Sequence, residues 1–171
     1  MNKLIDAFKE LLSKEKPLFI LACLRVGVAF LFFINIFIPF FIVDFTTSTN
    51  PVGSYQFPGT LIFILLMFAL IIAYIYFLLV KNNKLSRVCL LIEAIVISVY
   101  FLWGIILFST TASQASQQIA TTVVAGFGFY MQIILIGLSW FLVFGEKILL
   151  FMIGKYFVGE QLEPQVTELI K

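Results

Sequence analysis

An all-α integral membrane protein is the fold class this sequence predicts: a tetraspan four-helix bundle with an N-terminal interfacial amphipathic helix and both termini cytoplasmic. Three observations predict it. Four long apolar runs occupy roughly 18–43, 59–80, 88–108 and 121–145, each long enough to cross a hydrocarbon core of about 30 Å at about 1.5 Å per residue. The chain of 171 residues is 62% hydrophobic and 12% charged, whereas soluble domains are ~25% charged. Every lysine and arginine in the loops and tails falls on one side of the runs. Lys3, Lys9, Lys14 and Lys16 precede the first; Lys81, Lys84 and Arg87 lie between the second and third; Lys147, Lys155 and Lys171 follow the fourth. The other two loops, 44–58 and 109–120, carry Asp44 as their only charge. The excess of basic residues on cytoplasmic loops then gives one self-consistent orientation, with two short loops outside.

Residues 1–16 place Leu4, Ile5, Phe8, Leu11 and Leu12 at helical spacing among charged residues, the pattern of a short amphipathic helix lying on the inner leaflet. Pro17 opens the first span, where its missing donor costs nothing. That span contains Arg25 and Asn35, with Pro39 near its outer end. Thr46 to Pro58 reads as an ordered polar loop, with turn signals at Asn50-Pro51 and Pro58-Gly59. The second span has no ionisable side chain except tyrosine, and the tight turn at Lys81–Ser86 folds it against the third as an antiparallel hairpin.

The third span holds Glu93 and ends near Trp103, an interfacial anchor. Ser109–Ala120 is small and polar, read as a flexible connector or a helix extension. The fourth span carries Ala125, Gly128, Gln132 and Ser139 at heptad-like spacing. After Gly145 the chain turns amphipathic, and 154–171 forms a cytoplasmic tail. The organisation is one four-span membrane domain, 17–153, with short appendages and no segment large enough for a separate soluble core.

Arg25 and Glu93 are the only full charges well inside the apolar runs. Arg25 lies about 12 Å past Pro17 and Glu93 about 9 Å past Arg87 on parallel helices, so both sit at similar depth. An unpaired charge near mid-membrane costs about 2.5–3.5 kcal/mol on insertion scales, and direct pairing, with Gln132 or Ser139 helping, is the simplest resolution. Two readings follow: a fixed pair or snorkelling arginine that sets helix register, or a proton, cation or substrate site. Asn35 and Gln132 are expected to exchange hydrogen bonds across a seam of small and polar residues.

Other chemistries find no support. The chain has no histidine, which excludes histidine-ligated haem or zinc and histidine acid–base catalysis. No glycine-rich phosphate loop precedes a lysine, and no arginine-repeat voltage sensor or carbonyl filter occurs. Asp44 and Glu93 lie near opposite membrane faces and form no catalytic dyad. Cys23 and Cys89 sit near the cytoplasmic ends of their spans, where a disulfide is not expected. The basic residues are interspersed with acids, so nucleic acid is not an expected partner. The expectation is a non-enzymatic protein of the cell membrane, without cofactor, metal or catalytic residues. It would serve as an accessory or regulatory subunit of a larger membrane complex, including an immunity-type protein. The alternatives are a small oligomeric transporter or channel using Arg25 and Glu93, or a lipid-binding membrane protein. Expected partners are membrane lipids and a membrane protein or further copies of the chain. The phenylalanine-, isoleucine- and lysine-rich, histidine-free composition suggests a low-GC bacterial origin.

Overall fold

The computed structural model describes residues 16–45, 49–115 and 120–153. The fold is mostly helical, and four of its helices are long and apolar enough to cross a membrane. Helix α1 spans Lys16–Phe37, α2 Thr60–Leu79, α3 Asn83–Ala115 and α4 Phe127–Phe144, and a short α5 runs Glu146–Ile153. Helix α1 packs on α4, α4 on α3 and α3 on α2, with a lighter α1–α2 contact closing the bundle. The core between them is apolar: Leu21, Ala29, Phe32, Met67, Ile97 and Leu135 are fully buried. Large aliphatic and aromatic side chains such as Phe30, Leu61, Ile72 and Ile134 face outward, as expected where the surroundings are lipid rather than water.

The all-α expectation needs correction at one end, where the fold carries a three-stranded antiparallel sheet. Strand β1 (Pro39–Phe45) lies between β2 (Thr49–Gly53) and β3 (Ala120–Ala125). Two apolar runs taken as unbroken spans are therefore each part helix and part strand. The run 18–43 leaves the helix at Phe37, because Pro39 has no N–H to donate and forces Ile38 out of helical geometry. The run 121–145 begins as β3, and its helix starts only at Phe127. Once out of the helix, these backbones still need hydrogen-bond partners. Pairing of Phe41 with Ala125 and Val43 with Val123 on one side, and of Phe41 with Val52 on the other, supplies them. Pro51 falls on an edge strand, where a missing donor is tolerated.

The register of β1 shifts between Pro39 and Phe41, and this irregularity lets consecutive Phe40 and Phe41 both turn inward. With Val43 and Phe57 they form a second core, packed against Phe101, Phe108, Val123 and Phe129. Helix α4 enters this region through Gly126 and Gly128. A Cβ at Gly128 would stand 2.8 Å from the Ile38 carbonyl oxygen, and one at Gly126 would overlap that of Pro39. The close approach of α4 to the α1–β1 junction thus requires glycine.

The run 88–108 is the middle of a longer helix. At 33 residues α3 is about 50 Å long, and its polar last turns, part of the segment 109–120, continue the helix to Ala115 beside β3. At the opposite end, α2 closes with Lys81 in the left-handed region (φ 59°). The Asn82 N–H donates to Phe77 O and the Lys81 N–H to Leu78 O, the bonding of a Schellman stop. The Asn82 side chain then accepts from the Leu85 N–H at 3.2 Å and caps α3. The amphipathic helix expected over 1–16, apart from its last residue, and the tail expected over 154–171 lie outside the described residues.

Candidate functional site: a buried charge cluster and two polar contacts

The five residues singled out in the sequence separate into two groups. Arg25, Glu93 and Ser139 line one small cavity with Val28, Leu90, Leu142 and Val143. Asn35 and Gln132 meet about 15 Å further along α1, toward the sheet.

Arg25 is 3% exposed. Its Nη1 donates to the Tyr74 hydroxyl at 3.0 Å and its Nη2 to the Leu142 carbonyl at 3.3 Å, and the guanidinium lies 5.6 Å from the Tyr74 ring centre. Its carboxylate partner is not the expected Glu93. Nη2 stands 3.7 Å from Glu146 Oε1, while Arg87 Nε stands 2.9 Å from Glu146 Oε2. Glu93 is buried and forms no ion pair within 4 Å among the described residues. The reason is the bend at Gly145. There α4 ends on a bond from the Gly145 N–H to Phe141 O at 2.7 Å, and α5 continues past the bend along α1, with its first residue beside Arg25 of α1 and Arg87 of α3. A Cβ at Gly145 would lie 2.6 Å from that same carbonyl, so the bend in this form depends on glycine.

The result is a group of two arginines and two glutamates that ties α1, α3, α4 and α5 together, with α2 joined through Tyr74. Ser139 contributes to the cavity wall, but its hydroxyl proton is committed to Leu135 O at 2.7 Å. Sequence reasoning did not single out Glu146, Arg87 or Tyr74. The available signal was Glu146 itself, an acid set among the basic residues at the end of the last apolar run.

In the second group, Asn35 Nδ2 donates to Gln132 Oε1 at 2.7 Å and to Gly128 O at 3.1 Å. Gln132 Nε2 reaches Ile97 O at 3.5 Å. These amides stitch α1, α4 and α3 where Gly128 lets the helices close in, and Ala125 of the same stripe belongs to β3. A third polar knot lies under the sheet. Thr60 Oγ1 and the Tyr100 hydroxyl both donate to Ser54 O, at 2.8 and 3.0 Å, while Ser54 Oγ donates to Ile36 O at 3.2 Å. It fixes the short 3-10 turn Ser54–Gln56 onto the helix ends. Trp103 donates its indole N–H to Pro58 O at 3.1 Å, anchoring the loop before α2.

Both cysteines are free thiols, Cys23 exposed and Cys89 buried. No group of three or more histidine, cysteine, aspartate or glutamate side chains is placed to hold a metal among the described residues. Comparison of the chain with protein-family models, with curated proteins and with solved structures returned no match.

Proposed function

We propose that this chain is a non-enzymatic membrane subunit that works through its outer surfaces, as an accessory or regulatory partner of a larger membrane protein. One observation carries the reading. Between the charge cluster and the Asn35–Gln132 contact, the bundle axis is filled by Phe32, Met67, Ile97 and Leu135, each fully buried, and by Tyr100 at 1% exposure. A packed apolar interior of this kind leaves lipid- and solvent-facing surfaces as the places where the protein can act. In this reading the bundle is a scaffold, the sheet its ordered outer face, and the basic end faces the cytoplasm, favoured there by anionic lipid.

Extraction from the native membrane in a mild detergent, followed by native mass spectrometry, tests it. The expected outcome is a larger membrane protein retained at fixed stoichiometry. A bare chain or a homo-oligomer overturns the subunit reading.

A second reading, a small oligomeric transporter, is favoured by the shared cavity of Arg25, Glu93 and Ser139. It requires that Glu93→Gln abolish flux in liposomes while the fold persists. Normal flux in that variant sinks the role of Glu93.

A further inference from the structure

The cavity between Arg25 and Glu93 has a volume of about 10 Å³ and is lined on its polar side by these two residues and Ser139. Arg25 is 97% buried, being 3% exposed, and its Nε–H finds no acceptor among the described residues. Glu93, 7% exposed, presents carboxylate oxygens that accept hydrogen bonds and have no partner at ion-pair distance. Ser139, its proton already given to Leu135 O, offers only lone pairs.

The chemistry of these three groups selects the occupant. A cation is repelled by the guanidinium, and an anion is disfavoured by the acceptor oxygens of Glu93 and Ser139. A neutral molecule that accepts one hydrogen bond and donates two satisfies all three walls, and a cavity of about 10–15 Å³ admits one water. We propose that a single ordered water occupies this cavity. It accepts from Arg25 Nε–H and donates to Glu93 and to Ser139 Oγ. Arg25 and Glu93 are then joined through water, which explains why the two charges share a cavity without direct contact. Buried waters typically make about three hydrogen bonds to groups otherwise left unsatisfied, as here.

The test uses the full chain in lipid nanodiscs, with ¹⁵N-labelled arginine and ¹³C-labelled glutamate. Arg25 and Arg87 are the only arginines, so two Nε resonances appear, and Arg87→Lys assigns them by removing one. The expected result is a magnetisation-transfer cross-peak between water and the Arg25 Nε proton. Ser139→Val should abolish it while the Arg87 signal is unchanged. Absence of any water contact in the folded wild-type chain overturns the proposal. So does a direct transfer from that proton to the Glu93 carboxylate carbon, or persistence of the water peak in folded Ser139→Val. The wild-type spectrum decides the first two outcomes even if the valine variant does not fold.

Discussion

At the scale of single residues, the charge cluster separates depth from contact. Helical rise places Arg25 and Glu93 at one level, and this was legible from their offsets to Pro17 and Arg87. Which carboxylate the guanidinium meets depends on helix rotation and on the bend at Gly145, neither of which is encoded in a one-dimensional spacing. The structure therefore makes Glu146 the counterion of both arginines, at 3.7 and 2.9 Å. Removing one member of a buried ion pair typically costs about 3–5 kcal/mol, because the other charge is left uncompensated. Glu146→Gln is expected to cost about 3 kcal/mol, the lower end, since Arg87 is half exposed. Glu93→Gln keeps polar atoms for its neighbours and should cost about 1 kcal/mol. Reversible unfolding of both variants in lipid discs checks the order. Equal losses would contradict the assignment of Glu146 as the principal counterion. Arg25→Met leaves Glu93 buried without the neighbouring guanidinium, so adding Glu93→Met, which removes the stranded polar group, should recover part of the stability lost in the single variant.

At the scale of elements, the four spans were legible because about 20 apolar residues in a row is a strong signal. The sheet was not. Residues 38–43 are as apolar as the helix they follow, and hydropathy measures the cost of transfer from water, not the backbone geometry that results. The clues were local: Pro39 inside the first run, and the β-branched sequence Thr121-Thr122-Val123-Val124 at the start of the fourth. Glycine composition was equally ambiguous, since a small residue can serve packing or simply face lipid. The structure separates these cases. A Cβ at Gly128 meets the Ile38 carbonyl oxygen at 2.8 Å, whereas at Gly27 and Gly137 it meets nothing within 4 Å. Gly128→Ala should therefore lower stability by about 1–3 kcal/mol through backbone displacement. Gly27→Ala and Gly137→Ala should be neutral, or stabilising by about 0.5–1 kcal/mol, as alanine improves a helix interior. Thermal unfolding of the three variants in one lipid composition makes the comparison. A harmless Gly128→Ala would mean that α4 and the α1–β1 junction are not in close contact.

At the scale of the whole molecule, the two ends of the bundle differ in both structure and charge. One end carries the sheet, with Asp44 as the only charge of its two loops. The other carries the α2–α3 turn with Lys81 and Lys84, then Arg87, and Lys147 on α5. Alternating helix directions put the start of α1 at this basic end too. The positive-inside rule holds that such an end is retained in the cytoplasm, so the sheet is expected outside. Asn50 on β2 and Lys84 on the first turn of α3 are both exposed, which makes them matched reporters at opposite ends. In a background of Cys23→Ser and Cys89→Ala, Asn50→Cys should react with a membrane-impermeant maleimide on intact cells. Lys84→Cys should react only after the membrane is opened. The reverse pattern would place the basic end outside and remove the argument that it rests on anionic inner-leaflet lipid, yet leave the bundle and its sheet untouched. Labelling of both positions on intact cells would instead mean that the chain inserts in two orientations. That result would set the weak net charge of +2 against the strongly one-sided placement of the lysines, and show that placement alone does not orient this bundle.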